Sequence, residues 1–303
     1  MKSFVNYLLH PSKIREYIFY KKMNGKYGKK LSDKDFISKK YNHKFGSVLH
    51  LDNPQTFNEK LQWLKLYDRN PFYIDLCDKI KVKEIIAKEF GAQYVIPTID
   101  VWDKPSDIDF DKLPNQFVLK CNHDSGSVII CKNKSLLDLE ASKSKLLESL
   151  NKDYFSGSRE WTYKGIEKKI FAEQYMESED GSSLIDYKFF CFNGEPKFLY
   201  VSKGLENHDT ACISFFDLNG NRMPFKRSDF EPVDTFTIPE KFEEMKTMAA
   251  KLAKFSTAKF IRVDLYSING NIYFSEFTFF PCGGFIPFKP KKADLEIGSL
   301  LKL

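Results

Sequence analysis

The chain has 303 residues, 42% of them hydrophobic and 29% charged, an ordinary globular composition with length enough for two or three lobes. A net charge of +6 diluted by 41 acidic residues lacks the dense basic patch of a dedicated nucleic-acid binder. No run approaches the ~20 apolar residues of a membrane span, and 29 phenylalanines point to a β-rich core with aromatic walls.

The first 22 residues, MKSFVNYLLHPSKIREYIFYKK, carry no signal-peptide pattern. They read as a packing helix, with a basic amphipathic helix on a membrane surface as the alternative. Residues 1–50 have weak periodicity. NPQTFNEKLQWLKLYD (53–68) predicts a helix with Thr56 as N-cap, Glu59 completing a capping box, and Leu61, Trp63 and Leu64 on its apolar stripe. A second helix is expected over IDLCDKIKVKEIIAKEFG (74–91), stopped by Gly91. QYVIPTIDVW (93–102) reads as strand and turn, and QFVLKCNHDSGSVIICK (116–132) as strand, Gly/Ser loop, strand. A helix follows around Leu136–Leu150, then a strand at KIFAEQYM (169–176). Asn193-Gly194, Asn219-Gly220 and Asn269-Gly270 mark three hairpins. Between the last two, Phe242, Met245, Ala249, Leu252 and Phe255 keep helical spacing within residues 238–256. Helices among antiparallel strands give an α+β class. The six cysteines, Cys77, Cys121, Cys131, Cys191, Cys212 and Cys282, include no CxxC pair, which argues against zinc and for reduced, cytosolic thiols.

The last hairpin, FIRVDLYSINGNIYFSEFTFF, carries charges inside apolar runs. Strand alternation puts Arg262, Asp264 and Tyr266 on one face, and Glu276 and Thr278 on the same face of the return strand as Phe274. A two-residue turn at Asn269-Gly270 would send Glu276 to the opposite face. A three-residue loop at 268–270 would pair 262 with 276 and unite the polar set, so an odd-length loop is expected. Two carboxylates held together repel unless a cation lies between them, and Mg²⁺ is the natural one. Arg262 would then grip a phosphoryl oxygen. A plain cross-strand Arg262–Glu276 ion pair is the competing reading.

Lys120 ends an apolar strand, and the loop Asn122–Ser127 follows at once. Small residues there would let backbone N–H groups approach phosphate, with Lys120 supplying charge. The alternative is a turn beside a snorkelling lysine. No Walker A loop and no GxGxxG motif is present. Lys79, in CDKIKVK, reads by itself as solvated. FAEQYM (171–176) and DYKFFCFNG (186–194) suggest a strand edge for a nucleoside, with Asp186, on the same face as Lys188, able to accept ribose hydroxyls. An ordinary edge strand with exposed charges is the alternative.

Together NPQTFNEKLQWLKLYDRNP (53–71), CDKIKVKEII (77–86), QYVIPTIDVWD (93–103), FVLKCNHDSGSVIIC (117–131), DYKFFCFNGEPKF (186–198) and the 262–284 segment resemble, in this order, the ATP-grasp superfamily, and most of all its TupA-like, teichuronopeptide-biosynthesis branch. The resemblance implies antiparallel β-lobes and helices that clasp ATP. It implies an N-terminal helical or mixed region at 1–75 and an ATP-grasp region at 76–303, with a central lid lobe at 115–190 and a C-terminal metal-binding lobe at 191–303. Lys79 and Lys120 would contact phosphates. Asp124, Ser125, Gly126 and Ser127 would form the flexible loop over them. Glu173, Gln174 and Met176 would line the adenine hinge, with Asp186 and Lys188 beside the ribose. Asp264 and Glu276 would hold Mg²⁺, and Arg262 would steady the transferred phosphoryl group. Thr278 stands where D-alanine ligase-like members carry Asn, as is typical of the TupA-like branch.

The implied activity is an ADP-forming carboxylate–amine ligase working through an acyl phosphate, with ATP and Mg²⁺ as cofactors. Gly283 and Gly284 would offer N–H groups to the acyl oxygen. The expected partners are an acidic sugar or polysaccharide precursor and an amine, an amino acid or amino sugar, in a bacterial surface polysaccharide pathway. Arg222, Lys226 and Arg227 could bind the acid, or be a solvated basic hairpin. The expected location is cytoplasmic, with peripheral contact at the inner membrane face as an option. A glycosyltransferase would need an Asp-x-Asp motif after a Rossmann-like strand, and DFD at 109–111, in a loop-like stretch, is the triplet considered for it. A non-catalytic scaffold is the third reading.

Overall fold

The structure is a computed structural model that describes residues 11–178, 184–203, 211–233 and 236–303. The first ten residues of the proposed membrane-surface helix lie outside them. The chain starts with α1 (Pro11–Asn24), α2 (Lys26–Lys29) and α3 (Asp33–Phe45). Ser32 caps α3 by accepting from the Asp35 amide, and Gly46 ends it at φ +69°. Phe36, Ile37 and Tyr41 bury one face of α3 with Met23, Leu49, Leu51 and Phe285.

Helix α4 (Phe57–Tyr67) has the expected capping box: Thr56 Oγ1 accepts from the Glu59 amide at 3.2 Å and Glu59 Oε2 from the Thr56 amide at 3.0 Å. Leu61 and Leu64 are buried, Trp63 half-buried. Beside them Asn58, Gln62 and Lys65 are each 0% exposed, a buried polar row that an amphipathic reading does not anticipate. The helix expected over 74–91 is two helices, α5 (Phe72–Cys77) and α6 (Lys81–Glu89). Asp78 breaks it, because its carboxylate accepts from the Ile80 amide at 2.9 Å and from Asn122 Nδ2 at 3.0 Å, competing with the helical ladder. Gly91 follows the terminal Phe90 at φ +122°.

Four strands pair antiparallel in the order β1-β4-β2-β3: β1 (Thr98–Trp102), β2 (Phe117–Cys121), β3 (Ile129–Cys131) and β4 (Ile170–Gln174). The start of the 93–102 segment is a 3₁₀ turn, Ala92–Tyr94, not strand. Phe117, Leu119, Cys121, Ile170 and Ala172 bury one face with Leu146 of α7 (Leu139–Asn151). Alternation leaves Val118, Lys120, Phe171 and Glu173 on the other. The short α8 (Tyr154–Ser158) follows.

A second antiparallel sheet has the order β10-β9-β5-β6-β7, from β5 (Asp186–Phe192), β6 (Glu195–Lys203), β7 (Cys212–Asp217), β9 (Phe260–Ile268) and β10 (Asn271–Thr278), while β8 (Lys226–Arg227) lies outside it. Phe242, Met245, Ala249 and Leu252 of α9 (Phe242–Ser256) are buried in one aromatic-rich core with Phe189, Val263 and Leu265. The Asn193-Gly194 turn joins β5 to β6 with two residues, both at positive φ. After Asn219-Gly220 the return is a single bridge, Phe216 to Arg222.

The 269–270 connection corrects the sequence reading. It is a two-residue turn, Asn269 at φ +52° and Gly270 at φ +72°, pairing Ile268 with Asn271. A bulge between Phe274 and Glu276 then shifts the register, so that Glu276 pairs with Asp264 and Thr278 with Arg262. Residue 262 does not pair with 276. The extra residue needed to unite the polar faces is Ser275, inside the strand rather than in the loop. Beyond it, β11 (Phe288–Lys289) pairs with β8, and α10 (Lys292–Ser299) returns to α4, where Asp294 Oδ1 accepts from the Asn58 amide at 2.9 Å. Among the described residues no helix is long and apolar enough to cross a membrane.

Candidate active site

Register builds a polar row across four strands of the second sheet. Tyr200 (β6) pairs with Lys188 (β5), Lys188 with Asp264 (β9), and Asp264 with Glu276 (β10). Asp264 is 0% exposed. Arg262 grips it in a fork, Nε to Oδ1 at 2.7 Å and Nη2 to Oδ2 at 2.6 Å, and Lys188 Nζ lies 2.9 Å from Oδ2. Arg262 Nη2 also meets Thr278 Oγ1 at 2.9 Å and Glu276 Oε1 at 3.4 Å. Three oxygens from two strands therefore converge on one cationic nitrogen. Burial raises the Glu276 carboxyl, but Lys79, Lys188 and Arg262 outweigh it and bring the pKa down to about 2. Burial lowers Lys188, and Asp186 and Asp264 reverse that, holding it well above its ordinary value.

The first sheet supplies the facing wall. Glu173 on β4 is buried between two lysines, Lys83 of α6 at 2.8 Å and Lys120 of β2 in direct contact. Burial raises Glu173, yet Lys120 and Lys83 bring it below the usual carboxylate range, while burial lowers Lys83 against the pull of Glu173. Lys79, at the break between α5 and α6, spans the walls: Nζ lies 3.3 Å from Glu276 Oε2 and donates to the Asp124 carbonyl at 2.8 Å. One cleft is lined by Lys79, Lys83, Lys120, Glu173, Tyr266 and Glu276. In and around it five cations (Lys79, Lys83, Lys120, Lys188, Arg262) meet four carboxylates (Glu173, Asp186, Asp264, Glu276), leaving a surplus positive charge for an anion.

Residues 59–302 match the family described as TupA-like ATPgrasp. The chain belongs to the TupA-like ATP-grasp family. Its two-sheet cleft is the ATP-grasp fold. Among solved structures it is similar to D-alanine–D-alanine ligase from Bacillus anthracis complexed with ATP, at 17% identity and TM-score 0.39, over 67% of this chain and 55% of that one. It is also similar to D-alanine–D-alanine ligase from Helicobacter pylori (15%, TM-score 0.43, 81% and 69%) and to L-amino acid ligase from Bacillus licheniformis (13%, TM-score 0.42, 81% and 55%). The chain thus spans just over half the length of the first of these. A comparison with curated proteins finds no match.

Other residues of this ATP-grasp chain sit as follows. In the 124–127 loop, Asp124 and Ser127 turn inward: Asp124 accepts from Ser127 Oγ at 2.6 Å and from Ser149 Oγ. They are struts, while Ser125 and Gly126 form the exposed tip. Gln174 is exposed and Met176 half-buried after β4. Asp186 faces Lys188 at 3.1 Å. The Gly283 amide is committed to the Phe280 carbonyl at 2.7 Å, which removes it as a donor to an acyl oxygen. The carbonyls of Gly283 and Gly284 are gripped from α4: Gln62 Nε2 donates to Gly284 at 2.6 Å and Lys65 Nζ to Gly283 at 2.6 Å. Gly284 has φ +75°, and a Cβ there would lie 2.4 Å from Gln62 Nε2 and 3.2 Å from Leu61 Cβ, so a side chain would be strained and would displace the Gln62 contact. Asn58 adds a reciprocal pair with Ile286. The string NPQTFNEKLQWLK thereby acts as a clamp on the 281–286 turn. Arg222 is a strut bonded to Ser214 Oγ and the Val233 carbonyl, Lys226 is exposed, and Arg227 pairs with Asp229. Asp109 of DFD is exposed and paired with Lys112 at 3.0 Å in a turn.

Sequence reasoning missed Lys83 and the α4 clamp. Lys83 stands four residues after Lys79, a spacing that repeats a helix face. Asn58, Gln62 and Lys65 share the same kind of spacing beside the apolar stripe.

Proposed function

We propose that the protein is an ATP-dependent carboxylate–amine ligase. The observation that carries this is the convergence of Asp264, Glu276 and Thr278 oxygens on one cationic nitrogen of Arg262, across the cleft from Lys83, Glu173 and Lys120. That oxygen set suits a hard cation. Among the described residues no group of three or more His, Cys, Asp or Glu side chains forms a cage, so the ion would depend on two carboxylates plus phosphate oxygens, the usual habit of Mg²⁺. Asp264, Glu276 and Thr278 would hold Mg²⁺, which would neutralise charge on the phosphates.

Arg262 would withdraw Nη2 from that point and turn it to the transferred phosphoryl oxygens. Lys79, Lys83 and Lys120 would draw the phosphates into the cleft, with Glu173 holding the last two in line. Strand β4 and Met176 would meet the adenine, and Asp186 the ribose. A substrate carboxylate oxygen attacks the γ-phosphorus, the bond to the bridging oxygen breaks and ADP leaves. An amine nitrogen would then attack the acyl carbon, the bond from that carbon to the phosphate oxygen would break, and the departing phosphate would take up the amine's proton, leaving an amide. Ser125 and Gly126 at the loop tip would exclude water meanwhile. The acid is proposed to be a uronic-acid-containing surface polysaccharide or its precursor, and the amine an amino acid or amino sugar. The likeness to the teichuronopeptide branch supports that choice.

The test is ADP release with candidate acids and amines. Mg²⁺-dependent ADP formation that needs both substrates is expected. Transfer from a nucleotide sugar without ATP, or no ATP binding at all, would reject the reading.

A further inference from the structure

A second cavity, of about 210 Å³, lies beside the 281–284 turn and is lined by Lys40, Lys44, Arg227, Asp229, Cys282 and Phe285 among others. These residues come from α3, the β8 segment and the clamped turn, far apart in sequence. Three cations face one carboxylate. Asp229 takes Arg227 Nε at 2.9 Å and Nη2 at 2.7 Å, which fixes the guanidinium plane and leaves Nη1 outside the pair. Lys40 is half-buried, donates to the Gly157 carbonyl at 2.8 Å and stands 5.0 Å from the Phe285 ring centroid. Among the described residues it has no carboxylate within ion-pair distance; burial lowers its pKa, opposed by the more distant Glu160. A cavity with a surplus of partly desolvated cations favours an anion.

One residue of the cavity wall feels the charge of Arg262 in the site above. Cys282 lies within electrostatic range of both Arg227 and Arg262, and Arg262 Nη1 meets Tyr200 Oη at 3.4 Å. Its size is below the ~300–1,000 Å³ of drug-sized pockets, so it suits one compact unit rather than a nucleotide.

We infer that this cavity seats the acid substrate as a single carboxylate-bearing unit, with Lys40, Lys44 and Arg227 facing its negative charge and Phe285 its body. The inference rests on the ligase reading for the word substrate, but the binding site itself does not.

Cys282 reports on it, as the one exposed cysteine among the described residues. Alkylation of Cys282 by iodoacetamide, followed by site-resolved mass spectrometry, is measured without ATP in glucuronate, L-glutamate, glucose or L-glutamine. Protection by an acid and not by its neutral counterpart is expected, glucuronate indicating a sugar acid and glutamate an amino acid. Arg227→Gln and Lys44→Gln should each weaken protection about tenfold, the loss of one charged contact. Lys44 is exposed on α3, so its variant keeps the test open should Arg227→Gln fail to fold. No protection by either acid, or equal protection by the neutral compounds, overturns the inference. ATP affinity is measured separately on the same protein: its absence would reject the ligase reading without touching the acid site.

Discussion

Glu276 lies directly opposite Asp264 across β9 and β10, and it does so because Ser275 is an extra residue in the strand. Without that bulge the Asn269-Gly270 turn would turn Glu276 away from Asp264.

Deleting Ser275 removes the extra residue and joins Phe274 directly to Glu276, so regular pairing alone should keep Glu276 opposite Asp264. Mg²⁺-dependent ATP turnover is therefore expected to persist in the deletion variant. Calorimetric titration of nucleotide with and without Mg²⁺ checks this, and loss of the Mg²⁺ effect on deletion would contradict the pairing.

Glu276→Gln keeps the shape and removes the charge. Turnover should drop about 10²–10³-fold, the scale for losing one preorganised electrostatic contact to the transition state. Because Lys79, Lys188 and Arg262 hold the Glu276 carboxyl at about 2, the side chain stays ionised through mildly acidic pH. Loss of activity near pH 4–5 in the wild type would then have to come from another group, and a rate titration of the variant beside the wild type shows which.

Glu173 is the counter-charge for two buried-facing lysines. Glu173→Gln should lower stability by about 3–5 kcal/mol, the usual result of breaking a buried ion pair from one side. Urea unfolding measures it. Lys83→Met should leave Lys120 paired and cost less, with nucleotide affinity about tenfold weaker.

Lys65 is 0% exposed and donates to the Gln62 side chain, the Ser158 carbonyl and the Gly283 carbonyl. Burial pushes its pKa from 10.5 down to about 7, with Glu160 opposing. Between those values the unfolded chain binds more protons here than the folded one, so folding stability contributed at this site rises with pH. The stability of the wild type relative to Lys65→Met should climb between about pH 7 and 10. Denaturation midpoints at several pH values test it, and a flat difference would contradict it.

Much of this was written locally. Asn193-Gly194 and Asn269-Gly270 turn as their backbone preferences require, Thr56 and Glu59 cap α4, and the spacing in 242–256 buries the expected face. The polar residues of β9 and β10 were visible because charges in apolar runs are costly and need a reason. The family strings in order marked the fold. What local signals did not hold was pairing. Whether strand β10 bulges at Ser275, whether Lys83 or solvent meets Glu173, and whether Asn58, Gln62 and Lys65 face water or the 281–286 turn depend on partners 14 to more than 200 residues away. A turn or a cap is decided by a few neighbouring torsions, whereas a bulge or a buried lysine is stable only once distant strands and helices have closed around it. The sequence alone thus determined which residues carry charge and where the chain turns, and tertiary packing decided which of those charges meet.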